Sequence, residues 1–350
     1  MFSYLKNLYR ILLELITPNA WILEGNERST NKPLKILYIG SKRDKYYMTS
    51  TIFNNTCNEA YLGRKSFLKL CYILHKNKYR CSLIIIEGTF IDRYLYRSIK
   101  DFFIPFWVDS ITDLPLTITK SSAKYDMRKI RKNNLEYIVT SDTEMLHDFY
   151  YNMHRAMIRA RYQIGAYEET YDDIIEKMEK ACWDLLLIKK KNVFLSGVII
   201  ERSGRIPKLW KNGIRDINYW KDGAMAATYV FSSNYLWKKG YKKVSLGLIR
   251  SFLNDGLLQY KRKWNITLKV ASKRGYILKP LIISDGVKAF FLNNPFIYIE
   301  KNKLYGAVFI NEDEDYYEEN YREFQKKYHI KGLSELNVFI IRENGTMQIK

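Results

Sequence analysis

The chain has 350 residues, 47% of them hydrophobic, a composition that supports folded cores and excludes a disordered protein. Lys and Arg outnumber Asp and Glu by 58 to 37, which gives a formal net charge of +21. Residues 301–350 hold 8 basic and 9 acidic side chains, so the excess, 50 against 28, lies in residues 1–300. A surface this basic attracts polyanions such as RNA, anionic lipid, nucleotide-linked substrates or acidic glycans.

The cysteines and histidines do not form a metal-binding pattern. Cys57, Cys71, Cys81 and Cys182 contain no C-x-x-C pair, and the 4 histidines are scattered along the chain. We therefore expect no metal site, and thiols that stay reduced in the cytosol. The sequence shows neither a signal peptide nor an apolar run of about 18–20 residues, so we expect a cytoplasmic protein.

Residues 1–18 predict an amphipathic helix that ends at Pro18. The residues of its apolar face are Leu5, Leu8, Leu12, Leu15 and Ile16. This face either packs on the rest of the protein or makes a peripheral contact with the inner face of the membrane, because aromatic residues beside Lys6 and Arg10 suit a headgroup boundary.

Residues 19–105 are expected to form an α/β domain. Hydrophobic patterning predicts a strand at Leu34–Ile39, a helix at Ser66–Lys76 and an apolar strand at Cys81–Ile86. The stretch Phe102–Val108 is interpreted as the connection to the next region, residues 106–300.

Two helices that carry arginines are predicted early in residues 106–300. In the first, Lys124–Lys132, the basic side chains, including Arg128, share one side and either face solvent or contact phosphate. The second, Thr143–Tyr162, carries Arg155 and Arg159 one turn apart, followed by Arg161. Arginines at this spacing can clamp a carboxylate or phosphate, or can form surface ion pairs.

Two strands and a helix follow. The strands are predicted at Val193–Glu201 and Pro207–Gly213, joined by a short turn. The helix extends from Asp222, its expected N-cap, to Lys239. Small residues in its first turn are expected to leave the backbone amides open to an anion such as a pyrophosphate.

The next stretch contains a glycine that ends a helix, then a strand and a basic segment. Gly240 has the position of the glycine that ends a helix, and Val244–Leu246 alternates as a short strand. Gly247 follows, where a missing side chain lets a ligand or another backbone come close. Asn254-Asp255-Gly256 is a turn signal, and the segment up to Trp264 is interpreted as a basic loop.

The last part of the chain predicts strands at Leu268–Ala271 and Leu278–Ile283 and then a hairpin, Phe296–Glu300 with Leu304–Ile310. Residues 301–350 also contain an acidic helix and a final strand. We expect this part to complete or cover the sheet.

The order of these elements and the amino-acid sequence within them resemble a known family. From about residue 104 to residue 264, and above all in the run KKGYKKVSLGLIRSFLNDGLLQYKRKW, the chain is similar to the Gcn5-related N-acetyltransferase (GNAT) superfamily. It looks nearest to the branch shared with Fem-type peptidyltransferases and GNAT-like proteins of polysaccharide loci. The resemblance implies an α/β (α+β) fold, a mixed, mostly antiparallel sheet flanked by helices. In Fem-type proteins the first half is itself a GNAT-like domain, so residues 19–105 are either a degenerate second GNAT-like domain or an unrelated α/β domain, and the sequence contains no internal repeat strong enough to decide.

The resemblance implies acyl transfer, in which an amine or hydroxyl of a cell-envelope or polysaccharide precursor attacks a thioester or ester directly. The donor is either acyl-CoA, such as acetyl-CoA, or aminoacyl-tRNA, which would explain the charge. One feature departs from the family: the signature Arg/Gln-x-x-Gly-x-Gly/Ala is replaced by Asp222-Gly223-Ala224. The residues implied at the donor site are Lys211, Gly223, Ala224 and Met225.

Two residues are candidates for catalysis. Asp255 either orients the acceptor amine or only starts the turn at Gly256, and Tyr260 either donates to the oxyanion or only packs. The candidate substrate-binding residues are Arg128, Arg155, Arg159, Arg161, Arg250 and Lys261. A second hypothesis, from another class, is a non-catalytic protein that binds RNA or another anionic surface on a GNAT scaffold.

Overall fold

The strands, numbered in chain order, form three sheets in the part of the chain that the structure describes. This computed structural model describes residues 17–54, 57–89, 102–162, 169–180, 182–311, 318–342 and 345–349. The amphipathic helix predicted at the N-terminus therefore lies outside the described residues. Within those residues, no helix is both long enough and apolar enough to cross a membrane.

The first sheet has six strands in the order β3-β1-β2-β4-β13-β5. They are β1 (Asn19–Asn26), β2 (Pro33–Gly40), β3 (Asn58–Arg64), β4 (Leu83–Thr89), β5 (Phe102–Pro105) and β13 (Arg274–Pro280). β2 and β4 are parallel, and their other neighbours are antiparallel. Two helices connect these strands, α1 (Lys42–Ile52) and α2 (Phe67–Lys76).

The position of β13 differs from the expectation. The sequence predicts a strand in this part of the chain but gives no reason to place it in the first sheet, where it lies between β4 and β5. Phe102–Val108 is likewise more than a connection, because Phe102–Pro105 pairs with β13. The chain leaves the first sheet after β5 and returns to it at β13, so the expected boundaries at residues 105 and 300 do not separate the sheets.

The second sheet has seven strands in the order β12-β6-β11-β10-β9-β8-β7. They are β6 (Val108–Asp113), β7 (Glu136–Thr140), β8 (Trp183–Lys190), β9 (Val193–Glu201), β10 (Lys208–Ile214), β11 (Lys243–Ile249) and β12 (Thr267–Val270). Only β10 and β11 are parallel neighbours in it. The expectation of an α/β fold with a mixed, mostly antiparallel sheet flanked by helices is confirmed.

Several helices pack on the second sheet. In chain order they are α3 (Ser121–Lys132), α4 (Thr143–Asp148), a π-helical segment (Phe149–Arg155), α5 (Ala156–Tyr162), α6 (Tyr171–Glu179), a 3₁₀ turn (Ile217–Trp220), α7 (Ala224–Lys238) and α8 (Gly256–Arg262). α7 is apolar around most of its circumference and lies in the core, with Ala224, Ala227 and Leu236 fully buried. It ends as expected, since Gly240 has a φ of +90°.

The third sheet consists of β14 (Phe296–Glu300), β15 (Lys303–Asn311), β16 (Leu333–Arg342) and β17 (Gly345–Ile349). The predicted hairpin is β14–β15. The C-terminal residues were expected to complete or cover the main sheet, but they form this separate sheet. Leu268 in β12 donates its backbone N–H to Lys331 O at 2.7 Å, which ties the second sheet to the third. The remaining helices are α9 (Asp285–Asn293) and α10 (Glu318–Tyr328).

Gly275 provides a test of the β13 placement. A Cβ atom on Gly275 would lie 2.2 Å from the Ile104 carbonyl oxygen of β5, so alanine fits only if the two strands separate. At Gly240, where φ is +90°, a Cβ meets nothing within 4 Å. We expect Gly275→Ala to lower the free energy of unfolding by roughly 3 kcal/mol or more. Gly240→Ala should lower the free energy of unfolding by only about 1 kcal/mol, because alanine there is disfavoured only by the left-handed backbone conformation. Urea unfolding measures both, and equal losses would contradict the pairing of β13 with β5.

Candidate functional site

A cleft opens in the second sheet where its two parallel strands meet. β10 and β11 pair at a single position, Lys208↔Ser245. β10 bulges against β9 between Leu209 and Lys211, and β11 bulges against β6 between Ser245 and Leu248. Beyond the single pair, both strands line one cavity of about 710 Å³. Backbone groups of β11 that a continuous ladder would have paired, at Gly247 and Leu248, bond to side chains instead.

The walls of this cavity are largely apolar and include several aromatic residues. Its Trp and Tyr lining residues are Trp107, Trp210, Trp220, Tyr229 and Tyr260. Titratable side chains lie among them, including Asp109, His154 and Lys261. An apolar cleft that contains a few polar groups is the usual form of a small-molecule or catalytic site.

Lys261 is the most perturbed of these groups. Its residue is 2% exposed, and its Nζ donates to the carbonyl oxygens of Gly247 at 2.8 Å and Leu248 at 3.3 Å. Burial lowers the pKa of the Lys261 amine to about 7, against the opposing influence of Asp109 and Asp255. A large part of the Lys261 population is therefore neutral at physiological pH, so this amine can accept a proton.

Gly247 connects Lys261 to an acidic residue. Its φ is +91°, and its carbonyl oxygen accepts from both Lys261 and Ser110 Oγ, the latter at 2.6 Å. Its N–H donates to Ser245 Oγ at 3.1 Å, and Ser245 Oγ donates to Asp109 Oδ1 at 2.5 Å. The close approach expected at Gly247 is made by another backbone, since an added Cβ would lie 3.0 Å from Leu209 O.

Tyr260 lies beside Lys261 in the cavity wall. Burial raises the pKa of its phenol well above the ordinary value, so the hydroxyl keeps its proton and can act only as a hydrogen-bond donor or acceptor. The Nζ of Lys263 lies 3.6 Å from the Tyr260 ring centroid and pairs with Asp126 of α3. These contacts fix Tyr260 between α8 and α3.

His154 lines the cleft because of the π-helical segment, which no sequence signal predicted. Its Nδ1 lies 2.7 Å from the backbone oxygen of Asn212 in β10. Since a carbonyl oxygen only accepts, Nδ1 carries the hydrogen. The π-helical segment and β10 approach each other closely there: a Cβ atom added to Gly213 would lie 2.6 Å from the backbone nitrogen of His154.

Four of the predicted site residues line this cavity: Lys211, Met225, Tyr260 and Lys261. Lys211 is already engaged, because it pairs with Glu169 and its Nζ lies 4.8 Å from the Trp210 ring centroid. Burial of Glu169 opposes its ionisation, but hydrogen bonds from Lys177 and Lys211 outweigh this and hold its pKa below the ordinary value.

The expectation of an open first turn in α7 is wrong. Gly223, with a φ of +89°, is the N-cap in place of Asp222, whose carboxylate lies 3.7 Å from Lys190. α3 covers this turn, since a Cβ on Gly223 would lie 3.1 Å from Lys129 Cβ. Gly223 and Ala224 are buried and do not line the cavity. The predicted pyrophosphate site is therefore closed.

Asp255 and Arg250 also have structural contacts. Asp255 is the N-cap of α8, where its Oδ1 accepts from the backbone of Leu257 at 2.9 Å and Leu258 at 3.0 Å, so the expected basic loop is a helix. The Arg250 guanidinium stacks between Tyr47, at 4.0 Å, and Trp107, at 3.9 Å. It lies 3.5 Å from Asp44 of α1 and so joins the first sheet to a wall of the cleft.

Of the other predicted arginines, Arg128, Arg155 and Arg159 are not among the lining residues of the cleft. Arg155 is in the π-helical segment, over the Tyr151 ring at 5.6 Å, and Arg159 is exposed on α5. Arg161 lies in the last turn of α5, and its side chain is outside what the structure describes. Arg128 lines a separate groove of about 540 Å³ along α3.

The exposed side of α3 is a stripe of cations, Lys120, Lys124, Arg128 and Arg131. Among the described residues, no carboxylate lies within ion-pairing distance of any of the four. The one acid of α3, Asp126, is paired with Lys263. This surface is named here the α3 stripe. It contains three of the four cations predicted to share one side of the helix, Lys124, Arg128 and Arg131, with Lys120 in place of Lys132.

Comparison with known proteins identifies a fold but no close relative. No protein-family model matches the sequence, and no curated protein matches it. Similar solved structures include L-PGS from Bacillus licheniformis, with 14% identity and a TM-score of 0.35 over 73% of this chain and 82% of that chain. FemX has 12% identity and a TM-score of 0.39 over 72% of this chain and 82% of that chain. A GCN5-related N-acetyltransferase from Anabaena variabilis has 10% identity and a TM-score of 0.32 over 81% of this chain and 70% of that chain. These similarities are too low to carry an argument about activity. The succession β9, β10, α7, β11 on one sheet is the order on which the resemblance of the sequence to the GNAT superfamily rested.

Lys261 makes stability depend on pH. The unfolded chain binds this proton up to about pH 10.5 and the folded chain only up to about 7, so the contribution of Lys261 to the free energy of unfolding rises with pH between these values. Below pH 7 the folded protein bears the full cost of burying the charge. We expect Lys261→Met to change the free energy of unfolding in the stabilising direction by on the order of 3 kcal/mol more at pH 6.5 than at pH 9.5.

Urea unfolding at pH 6.5, 8 and 9.5 measures this difference. Lys269→Met, at an exposed position of β12, is the control and should show a difference from wild type that does not vary with pH. A Lys261→Met difference that is equally constant would show that the folded-state pKa of Lys261 is not lowered.

Proposed function

We propose that this chain is an acyl- or aminoacyltransferase that moves an acyl group from an ester or thioester to an amine or hydroxyl of a cell-envelope or polysaccharide precursor. The observation that carries the proposal is the buried, largely neutral amine of Lys261 at the edge of the cleft between β10 and β11. The acceptor class follows from the family resemblance of the sequence.

Lys261 has the geometry of a general base. A neutral amine has two N–H groups and one lone pair, and the two carbonyl contacts, at Gly247 and Leu248, account for both N–H groups. The lone pair is then the part of the amine that can take a proton. A base with a pKa near the working pH is also the most effective one.

The reaction needs no covalent intermediate on the protein. The acceptor nitrogen or oxygen attacks the carbonyl carbon, and a C–N or C–O bond forms while the acceptor proton passes to Lys261 Nζ. The C–O or C–S bond to the donor then breaks, and Lys261 returns the proton to the leaving oxygen or sulfur. The products are the acylated acceptor and the protonated leaving group, and Lys261 is neutral again.

Two groups can stabilise the negative charge that develops on the carbonyl oxygen. Tyr260 keeps its proton and lies in the wall next to Lys261. Trp210 is the extra residue of the bulge in β10 and lines the cleft, which places its backbone N–H at the edge of the cavity. Donors aimed at a developing oxyanion in a water-poor cleft contribute strongly to the rate.

The structure favours aminoacyl-tRNA over acyl-CoA as donor. A CoA pyrophosphate was expected at the first turn of α7, which α3 covers. The α3 stripe offers instead cations without carboxylate partners among the described residues, at a spacing that follows one side of the helix. The same stripe could bind RNA if the protein were a non-catalytic RNA-binding protein, the alternative function. That function does not require a neutral amine at Lys261.

Transfer from radiolabelled donors tests the proposal. Wild type and Lys261→Met are incubated with aminoacyl-tRNA or acetyl-CoA and a panel of envelope and polysaccharide precursors. We expect transfer from aminoacyl-tRNA, with Lys261→Met at least 100-fold slower, as loss of a general base implies, but with unchanged tRNA affinity. Transfer that is equally fast in Lys261→Met would refute the role of Lys261. Binding of tRNA with no transfer by wild type would favour the non-catalytic function.

Salt dependence tests the α3 stripe. Each phosphate that a Lys or Arg neutralises steepens the fall of affinity with salt. We expect the double variant Lys124→Gln/Arg128→Gln to bind tRNA more weakly and to reduce the slope of log K against log salt by about 2. The charge-matched control is Lys326→Gln/Lys327→Gln on α10. Equal slopes in the two variants would show that tRNA does not contact the stripe.

A further inference from the structure

Asp109 is a carboxylate in the cleft wall that the mechanism above does not use. It lies in β6, where it pairs in register with Leu248 of β11 and Lys269 of β12. The residue is partly buried and lines the same cavity as Lys261 and Trp107. Asp109 was not among the predicted site residues, because Phe102–Val108 was interpreted as a connection and no strand was predicted directly after it.

The carboxylate of Asp109 is held in place but not neutralised. Ser245 Oγ donates to its Oδ1 at 2.5 Å, and the Gly247 N–H fixes Ser245 in turn. Among the described residues, no Lys, Arg or His nitrogen lies within 4.0 Å of Asp109. Glu201, the other acid in the cavity lining, lies 3.8 Å from Lys208. A partly buried carboxylate usually has a cationic partner, and here the place for one is in the cleft.

The surroundings of Asp109 suit a cation. The Trp107 ring in the same wall already stacks on Arg250, but the cavity has four further aromatic lining residues, and aromatic rings attract ammonium groups through their negative faces. Lys261, the nearest basic group along the hydrogen-bonded chain through Gly247, is neutral in a large part of the molecules near pH 7. The cleft thus combines a fixed negative charge, aromatic walls and a basic amine that does not compete strongly for the carboxylate.

We propose that Asp109 is the counter-ion of a primary ammonium group on the acceptor, and that this protein acylates amines and not hydroxyls. The inference rests on the proposed function for the reaction that follows binding. The bound ammonium releases one proton to solvent and becomes the nucleophile. As it attacks the carbonyl carbon, its second proton passes to Lys261 and then to the leaving atom, so one amide, one protonated leaving group and one free proton result.

Binding of a small probe tests this without any donor. The probes are n-butylammonium chloride and 1-butanol, of nearly equal size, titrated at constant ionic strength and followed by ligand-observed NMR. We expect wild type to bind the ammonium at least ten-fold more tightly than the alcohol. Asp109→Asn should lose most of this preference. Asp113→Asn is the control, because it removes the same charge from the same strand at an exposed residue that pairs with Lys243 outside the cleft.

The results separate this inference from the proposed function. Lys261→Met should abolish transfer but keep the preference for the ammonium, so a failure of catalysis leaves the binding result standing. If Asp109→Asn does not fold, Ser245→Ala decides, because it keeps the charge but frees the carboxylate and should weaken ammonium binding several-fold. An unchanged preference in the folded Asp109→Asn protein, or in Ser245→Ala in its place, would overturn the proposal, as would equal binding of the alcohol by wild type.

The pH profile of transfer distinguishes binding from a merely structural role. Asp109 acts to raise the pKa of Lys261, so its removal should move the midpoint of the rising limb to lower pH. The KM for an amine acceptor should rise at least ten-fold at the same time. A variant with only a disturbed fold would lower kcat without moving the midpoint, and that result would contradict the assignment.

Discussion

The single pairing between β10 and β11 is the constraint on which the site depends. In the first sheet the parallel pair β2–β4 continues over four positions, Ile36–Ile39 with Leu83–Ile86, and leaves no such gap. The Glu87 carboxylate follows that pair and accepts from the Ser41 N–H at 2.8 Å, which occupies the equivalent end of the strands. In the second sheet the bulges on both sides stop the ladder after Lys208↔Ser245 and leave the cleft open. Both sheets have one parallel pair between antiparallel strands, but only the pair in the second sheet stops after a single position.

The burial of Lys261 is the second constraint, and it follows from the first. Its amine lies where β11 has stopped pairing with β10, and it satisfies two carbonyl oxygens of that strand. An isolated charge in such a place is costly, and the molecule avoids much of the cost because the amine gives up its proton near pH 7. The buried amine of Lys261 thus both completes the hydrogen bonding of the bulge in β11 and supplies a base.

Local signals predicted much of the fold. The hydrophobic periods of β9, β10 and the β14–β15 hairpin, and the terminating role of Gly240, were all present in the sequence. The placement of β13 beside β5 could not be predicted, because it depends on pairing across more than 160 residues and not on local pattern. For the same reason the closed first turn of α7 was missed: its small residues are equally suited to an open anion site and to close packing under α3. Lys261 was found by its position in a basic segment, but its burial and its link to Asp109 exist only in three dimensions.

The measurement that tests this account most directly is the titration of Lys261 itself. The protein is labelled with ¹³C at the lysine ε carbons, and the NMR shifts are followed from pH 5.5 to pH 11 in wild type and in Lys261→Met. The account predicts one lysine signal with a midpoint near pH 7 that is missing from the variant. If every lysine of the wild type titrates above about pH 9.5, the amine is charged at working pH and cannot be the base on which the mechanism depends.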